Sequence, residues 1–189
     1  ANYDSEEYES LVHPIKNGTI CAAKFDVDGN WYRGRIEKSI RDKSSEGDHL
    51  YEVYFMDYGN RNDIPAKNLK KIDNRLVSYP PLAHKCSLAF VNVPRGDKTF
   101  GPDAAEYFKE TLWGDICTVS IYDEYEAGFK VIINKGKEAK VNESINAYLV
   151  SEGLASLEDP ESLPEELEEW KEYELDAKEE QLNIWEIGE

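Results

Sequence analysis

The sequence predicts a β-rich α+β protein, in which a small, strongly bent β-barrel is followed by a mixed α+β half. Two observations carry this prediction. Five short strand-like segments lie within about 55 residues, and turns containing glycine separate them. After Pro80-Pro81 the pattern changes to strands that are interspersed with segments of helical periodicity.

The first half begins with a mixed segment and continues with the five strands. Residues 1–17 are acidic and then mixed, and we predict a short helix near residues 3–12, one side of which is lined by Tyr8, Leu11 and Val12. Residues 41–48 are predicted to form a polar hairpin loop. The predicted strands are Ile20–Phe25, Trp31–Ser39, Leu50–Asp57, Asn62–Pro65 and Leu69–Ile72.

The second half alternates strands with helices, as the hydrophobic periodicity changes along the chain. The predicted elements are a strand at His84–Val93, a helix at Gly101–Trp113, a strand pair at Asp115–Tyr122 and Gly128–Asn134, a helix at Asn142–Gly153, and a long charged helix at Leu163–Leu182.

Charge is distributed unevenly along the chain. The formal net charge is −17, and residues 158–189 contribute −12 of it, whereas residues 19–75 carry 10 acidic and 11 basic residues. This charge argues against non-specific binding to nucleic-acid phosphates and favours cationic partners, although a solvated helix face explains the acidic tail at least as well. No apolar run approaches the roughly 18 residues of a membrane span, so we expect no membrane partner.

The cysteines and histidines show no spacing typical of metal ligands. The three cysteines are odd in number and far apart in the chain, at Cys21, Cys86 and Cys117. This pattern indicates buried free thiols in a reducing compartment rather than a disulfide framework or a zinc site. The three histidines are equally scattered. We therefore expect no metal and no cofactor.

Four aromatic rings and one amide lie at or beside two turns on neighbouring hairpins: Phe25, Tyr32, Phe55, Tyr58 and Asn60. Together they can form a box around a flat cation, because ring faces attract cations. The alternative is that the rings are the core of a small barrel, which is the role that we assign to Trp31 and Tyr54. Asp57 is predicted to point away from Phe55, toward contacts within the turn.

Residues 19–75 resemble a Tudor domain through three stretches, namely Ala23-Lys24-Phe25, Asp28-Gly29-Asn30-Trp31-Tyr32-Arg33-Gly34-Arg35 and Tyr54-Phe55-Met56-Asp57-Tyr58-Gly59-Asn60. Tudor domains are SH3-like bent barrels, and many of them bind methylated arginine or lysine in an aromatic cage. The resemblance implies that the four rings form this cage and that Asn60 is its polar anchor. The preference for symmetric dimethylarginine comes from the resemblance alone.

Residues 84–189 resemble a staphylococcal-nuclease domain, an OB-fold barrel with flanking helices. The matching stretches are Phe100–Ala105, Val141–Glu143 through Glu152–Ala155, and Ala177–Trp185. Together the two resemblances indicate the extended Tudor arrangement of the Tudor-SN family, in which the Tudor barrel is inserted into the nuclease-like domain. The predicted domains are residues 1–17 as part of the nuclease-like half, 18–80 as the Tudor domain and 81–189 as the nuclease-like domain. Residues 1–17 are too short and polar to supply the two strands that precede His84–Val93 in the family, so we expect a partial OB-fold.

The nuclease-like half departs from the residues that the family uses for catalysis. Where the family has an arginine, a metal-binding aspartate and a glutamate, this sequence has Ser87, Asn92 and Arg95. The second phosphate-binding arginine falls near Phe129, and the nearest basic residue is Lys130. Because such phosphodiester cleavage requires carboxylates for a hard cation, we predict that this domain is not an enzyme.

The predicted function is a methylarginine reader that binds dimethylated Arg-Gly segments of partner proteins. By resemblance, those partners are spliceosomal or other ribonucleoproteins, and the parent is a larger RNA-regulatory protein associated with the RNA-induced silencing complex. We expect a monomer in the cytoplasm, with the nucleus as a second location. Two alternatives stay open, namely a scaffold with a non-functional cage and an RNA-binding module that uses the OB-like domain, with the basic cluster Lys67, Lys70, Lys71 and Arg75 near the junction of the two modules.

Overall fold

The computed structural model describes residues 3–4, 8–40, 49–96, 98–126 and 128–186. Its contacts divide the chain into two compact units, Ala1–His84 and Lys85–Glu189, which we call the barrel unit and the second unit. The predicted loop at residues 41–48 lies outside the described residues. In the part of the chain that is described, no helix is both long and apolar enough to cross a membrane.

The barrel unit is a five-stranded antiparallel sheet with the strand order β4-β3-β2-β1-β5. A short helix that is not predicted from the sequence, α1, follows the last strand. The elements are β1 (Ile20–Lys24), β2 (Trp31–Ile40), β3 (Leu50–Phe55), β4 (Arg61–Pro65), β5 (Leu69–Lys70) and α1 (Asn74–Val77). All five predicted strands are therefore present, with ends that differ by one or two residues.

Strict alternation along β3 explains how this sheet encloses a core. Tyr51, Val53 and Phe55 are buried, while the residues between them face outward. Tyr54 therefore lies on the outer face, where the guanidinium groups of Arg35 and Arg61 lie 5.3 and 4.8 Å from its ring centroid. The prediction that Tyr54 belongs to the core is wrong, because its position in the alternation is opposite to that of its buried neighbours.

Trp31 is likewise not a core residue. It is the first residue of β2 and is partly exposed. Its indole Nε1 donates a hydrogen bond of 3.0 Å to Asp4, and the ammonium groups of Lys24 and Lys70 lie 5.6 and 5.4 Å from its ring centroid. The ring is thus held between charged side chains at the surface, and the core assignment of Trp31 is corrected.

The segment that precedes β1 is extended along the barrel rather than helical over its described residues. Ser10 forms a β-bridge with Lys70, and the Leu11 amide donates to the Leu69 carbonyl at 3.0 Å. Ile15 is buried in the barrel core. The predicted helix is therefore not formed at residues 8–12, while residues 5–7 lie outside the described part.

These contacts also group the start of the chain with the barrel unit. Residues 1–17 are predicted from the sequence to belong to the nuclease-like half; of the described residues among them, Ser10, Leu11 and Ile15 make contacts with the barrel. The boundaries of the modules at 18–80 and 81–189 stay predictions.

The second unit combines a three-stranded sheet, a two-stranded pair and three α-helices. The sheet has the order β6-β9-β8, with β6 parallel to β9, and the pair joins β7 to β10. The elements are β6 (Cys86–Leu88), β7 (Val91–Asn92), α2 (Gly101–Leu112), β8 (Cys117–Tyr125), β9 (Gly128–Lys135), α3 (Ile145–Ser151), β10 (Ser156–Leu157) and α4 (Glu169–Glu179).

Two predicted elements of this unit are divided or much shortened, and the ends of the others differ by up to three residues. The single strand His84–Val93 is divided into β6 and β7, because Phe90 adopts a left-handed backbone with a φ of 64° and the two parts pair with different strands. The long helix Leu163–Leu182 is shorter, since a 3-10 turn at Glu165–Leu167 precedes α4 and Gln181 is left-handed after it. The core lies where α3 and α4 cover the sheet, and Trp170, Leu149 and Ile132 are fully buried there.

The cysteines are in three different environments. Cys21 is buried in the barrel core, where burial raises the pKa of its thiol to about 12. Cys117 is partly exposed and Cys86 is exposed, so the prediction of buried thiols holds for Cys21 alone. Across the described ranges, no group of His, Cys, Asp and Glu residues has an arrangement that could hold a metal ion.

Gly34 allows the side chain of Val53 to pack directly against the backbone of β2, and this contact yields a testable prediction. A Cβ atom at Gly34 would lie 2.4 Å from Cγ1 of the buried Val53. We expect Gly34→Ala to destabilise the barrel unit by about 1–3 kcal/mol through overpacking, measured by chemical denaturation. Gly96→Ala is the matched control, since a Cβ atom at that position would have no neighbour within 4 Å. Equal stability of the two variants would contradict the close approach.

Candidate functional site

Two turns with the same hydrogen-bond pattern carry the predicted site residues. In the first, the Phe25 amide donates to the Asn30 carbonyl at 2.8 Å and the Gly29 amide donates to the Phe25 carbonyl at 2.9 Å. In the second, the Phe55 amide donates to the Asn60 carbonyl at 2.9 Å and the Gly59 amide donates to the Phe55 carbonyl at 2.8 Å. Both glycines have a positive φ, 70° and 86°, which a residue with a side chain adopts only with strain. The repeated pattern Phe-x-x-x-Gly-Asn therefore builds both turns.

The structure brings all four predicted rings into one cluster. The centroid of Phe55 lies 5.3 Å from that of Phe25 and 6.2 Å from that of Tyr32, and Tyr32 lies 6.3 Å from Phe25 and 5.0 Å from Tyr58. All four pairs meet nearly edge to face, at interplanar angles between 78° and 87°. The four rings therefore meet edge to face and do not form a stack.

The rings differ strongly in their exposure. Phe55 is 1% exposed and belongs to the barrel core, whereas Phe25 and Tyr32 are half-buried against that core. Tyr58 is 67% exposed. Phe55 therefore forms the base of the cluster, and Tyr58 is the wall that reaches farthest into solvent.

Asn60 lies beside the rings with its side chain at the surface. It is exposed, and its Nδ2 donates to Oδ1 of Asn62 at 3.4 Å. This bond directs the amide nitrogen toward Asn62, so the Oδ1 atom of Asn60 can accept a hydrogen bond from a ligand.

A carboxylate that is not among the predicted site residues orients one tyrosine of the ring cluster. The Tyr32 hydroxyl donates to Asp28 at 2.5 Å, and the other oxygen of Asp28 accepts from the Asn30 amide at 2.9 Å. These bonds lower the pKa of Asp28, chiefly through the Tyr32 hydroxyl, and the carboxylate in turn raises the pKa of Tyr32. Asp28 thus fixes the Tyr32 ring and places a negative charge at the edge of the cluster.

The Arg33–Asp57 ion pair holds the other side of the site. Nε and Nη2 of Arg33 donate to the two carboxylate oxygens of Asp57 at 3.0 and 2.5 Å, and the side chains are 10% and 22% exposed. Arg33 also donates to the carbonyl groups of Leu76, Tyr79 and Pro80 at 2.9, 2.5 and 2.8 Å. Asp57 also accepts from the Leu82 amide at 3.2 Å, so the described bonds of its carboxylate are made with Arg33 and Leu82, which lie outside its turn, and the prediction of contacts within the turn is corrected.

This network shapes an open groove of about 410 Å³ next to the cage. The groove shares the side chains of Tyr32 and Tyr58 with the cluster, and its other walls come from Trp31, Arg33, Asp57 and the segment that runs from α1 onward, namely Leu76, Tyr79 and Leu82. This segment was not predicted from the sequence to belong to the site. The signal that could have indicated it is the pair of motifs Tyr32-Arg33 and Asp57-Tyr58.

The positions that correspond to nuclease catalytic residues lie in the second unit. Ser87 pairs in register with Lys130 across β6 and β9, and Asn92 pairs with Ser156 across β7 and β10. Arg95 is exposed in the loop that precedes α2. The ammonium group of Lys130 is paired with Glu158 at 2.9 Å, and this pairing raises the pKa of Lys130.

Comparison with known proteins agrees with this architecture. Residues 5–90 match the Tudor domain family, and residues 85–187 match the family described as staphylococcal nuclease homologue. Ribonuclease TUDOR 2 of Arabidopsis thaliana is 27% identical over 92% of this chain, which spans 19% of that relative.

Two solved structures are similar in fold. The extended Tudor domain of Drosophila melanogaster Tudor-SN (p100) superimposes with a TM-score of 0.79 at 22% identity, covering 98% of this chain and 82% of that one. The human TDRD1 extended Tudor domain, solved in complex with a symmetrically dimethylated peptide, superimposes with a TM-score of 0.62 at 29% identity, covering 79% and 69%.

The two family matches adjoin near the boundary between the two compact units and together span nearly the whole chain. The nuclease-homologue match alone covers more than half of it. The chain therefore belongs to the staphylococcal nuclease homologue family, and it joins that domain to a Tudor domain in the extended Tudor arrangement found in Tudor-SN.

Proposed function

We propose that the barrel unit is a methylarginine reader that binds symmetrically dimethylated Arg-Gly segments through Phe25, Tyr32, Phe55, Tyr58 and Asn60. The observation that carries the proposal is the ring cluster, in which rings that meet edge to face stand on a buried base and one of them is two-thirds exposed. The human TDRD1 neighbour, which was solved with a symmetrically dimethylated peptide, supports the same ligand class.

The chemistry of the ligand fits the chemistry of the cluster. A methylated guanidinium keeps its positive charge but loses hydrogen-bond donors and gains apolar surface. Aromatic faces therefore compete with water for it better than they do for unmodified arginine. Asn60 can accept one remaining N–H, and the carboxylate of Asp28 adds a favourable charge at the rim.

The RNA-binding alternative has less support from the contacts of its basic residues. Lys71 is paired with Glu9, and Arg75 is paired with Asp73 at 2.6 Å. Lys70 donates to the Tyr3 carbonyl at 2.6 Å and lies over Trp31. These basic side chains are therefore already engaged within the barrel unit, and the chain as a whole carries a net charge of −17.

Removal of the exposed wall tests the cage with little effect on folding. We expect Tyr58→Ala to weaken binding of a symmetrically dimethylated Arg-Gly peptide by about tenfold, because a cation–π contact contributes about 0.5–2 kcal/mol. Isothermal titration calorimetry with the matched unmethylated peptide measures the effect. Tyr54→Ala is the control, since that ring lies on the outer face of the sheet and is expected to leave affinity unchanged.

The base of the cage behaves differently from its walls. Phe55→Ala is expected to destabilise the barrel by about 3–5 kcal/mol, because it removes a fully buried ring. Trp31→Ala is expected to leave the barrel folded, since the indole lies at the surface.

A Tyr58→Ala variant that is folded and binds as tightly as the parent chain would place the ligand elsewhere.

The ion pair beside the cage is expected to act on binding without touching the ligand. Arg33→Lys cannot reproduce the bidentate contact with Asp57 together with the three carbonyl contacts. We expect a loss of about 1–3 kcal/mol in unfolding free energy and weaker peptide binding. Arg35→Lys is the matched control, because Arg35 is more exposed and its described contacts are the ion pair with Glu37 at 2.8 Å in the same strand and the ring of Tyr54. Equal effects of the two substitutions would contradict the role assigned to Arg33.

We further propose that the nuclease-like unit does not cleave nucleic acid, because Ser87, Asn92 and Arg95 replace the arginine and the two carboxylates of the family. Incubation of the purified chain with labelled single-stranded RNA and DNA, with and without calcium, is expected to leave both intact. Calcium-dependent cleavage that co-purifies with the chain and is lost in an Asn92→Ala variant would contradict this. The activity of a longer parent protein is a separate matter.

A further inference from the structure

A cavity of about 310 Å³ lies entirely within the second unit, at the divided strand β6–β7. Two rings and four charged side chains account for most of its walls, namely Phe90, Tyr122, Asp123, Lys130, Glu158 and Asp159. This volume lies at the lower end of the roughly 300–1,000 Å³ that small-molecule pockets span, so the cavity has room for one long side chain. None of these residues belongs to the proposed methylarginine cage.

Two irregularities of the backbone converge on this cavity. Phe90 has a φ of 64°, a strained conformation for a bulky residue, and it divides the strand. Opposite it, the register between β8 and β9 shifts between Ile121 and Asp123. The two irregularities bring Phe90 and Tyr122 edge to face, with centroids 5.2 Å apart at 84°. Strained residues and β-bulges concentrate at functional sites, where they redirect side chains.

The charges around the cavity are opposite to those of a phosphate site. The only described basic group in the lining is Lys130, and both carboxylate oxygens of Glu158 bind its ammonium group, at 3.1 and 2.9 Å. Asp123 and Asp159 add two further carboxylates. Three negative charges therefore surround one positive charge that is already paired, so the cavity repels phosphate and attracts a cation.

From these observations we propose that this cavity binds an unmethylated arginine side chain of a partner peptide, as a second cation site separate from the methylarginine cage. A guanidinium group is planar, so it can lie against the Phe90 and Tyr122 rings. Its N–H donors are matched by the carboxylates of Asp123 and Asp159, which accept local bonds but retain further acceptor capacity.

The two sites would thus distinguish the same residue by its modification. Methylation removes the donors that the carboxylates of the second cavity need, while it improves the fit of the guanidinium to the rings of the cage. An Arg/Gly-rich segment carries several arginines, so methylated and unmethylated residues of one class of partner would each have a site. The second site does not depend on the cage being functional.

The test uses the full chain, labelled with ¹⁵N, and the capped tripeptides Gly-Arg-Gly, Gly-Lys-Gly and Gly-Glu-Gly. We expect Gly-Arg-Gly to shift the amide signals of Phe90, Tyr122 and Lys130 with a dissociation constant on the order of 1 mM. Gly-Lys-Gly is expected to bind more weakly, and Gly-Glu-Gly is expected to leave these signals unchanged. Equal shifts with the arginine and lysine peptides, or shifts elsewhere only, would overturn the proposal.

Two substitutions with opposite expected effects on arginine affinity make the test specific. Lys130→Gln removes the competing ammonium group, so arginine binding should tighten by about two- to fivefold, the effect of one surface charge pair. Glu158→Gln frees that ammonium group and should weaken binding by at least a similar factor. A site for anions would show the reverse order. Glu161→Gln, close in sequence to Glu158 and not among the residues that line the cavity, is the control for net charge.

A cage variant separates this proposal from the reader function. In Tyr58→Ala, the shifts of Phe90, Tyr122 and Lys130 with Gly-Arg-Gly should be unchanged. Loss of these shifts in Tyr58→Ala would show that the peptide acts through the cage and would overturn the second site.

Discussion

The Arg33–Asp57 ion pair is the interaction on which the geometry of the proposed methylarginine site depends. Each partner is adjacent in sequence to a tyrosine of the ring cluster, Arg33 to Tyr32 and Asp57 to Tyr58. The bidentate contact therefore holds the start of β2 against the turn that follows β3, and it sets the positions of both rings. The remaining donors of Arg33 hold the chain after α1 as the wall of the neighbouring groove. Partial burial strengthens the pair, and each partner shifts the pKa of the other in the direction that keeps both charged.

Most of the fold could be predicted from the sequence, because the signals are local. Strand alternation and Gly-Asn turns locate the five barrel strands, and helical periodicity locates α2 and α3. The ring cluster was also predictable, since the repeated Phe-x-x-x-Gly-Asn turn places Phe25 and Phe55 in equivalent positions. Family resemblance added the ligand class, which the residues alone did not specify.

The errors arose where tertiary contacts outweigh local pattern. Trp31 and Tyr54 are large and apolar enough for a core, but each is covered by basic side chains at the surface. Residues 8–12 have a helical pattern, yet their backbone bonds are made with the strand β5. Likewise, no sequence pattern indicates the left-handed backbone of Phe90. Its strain is offset by the pairing of the flanking strands β6 and β7 with two different partners.

The central claim is that the methylated guanidinium lies among the rings of Phe25, Tyr32 and Tyr58, above the buried Phe55. The most direct measurement is an NMR spectrum of the chain bound to an Arg-Gly peptide whose guanidinium methyl groups are labelled with ¹³C. Ring currents should move those methyl signals upfield, and nuclear Overhauser effects should connect them to ring protons of Tyr32 and Tyr58. Methyl signals that keep their free positions in the bound peptide, or that show Overhauser effects only to residues outside the ring cluster, would contradict the account.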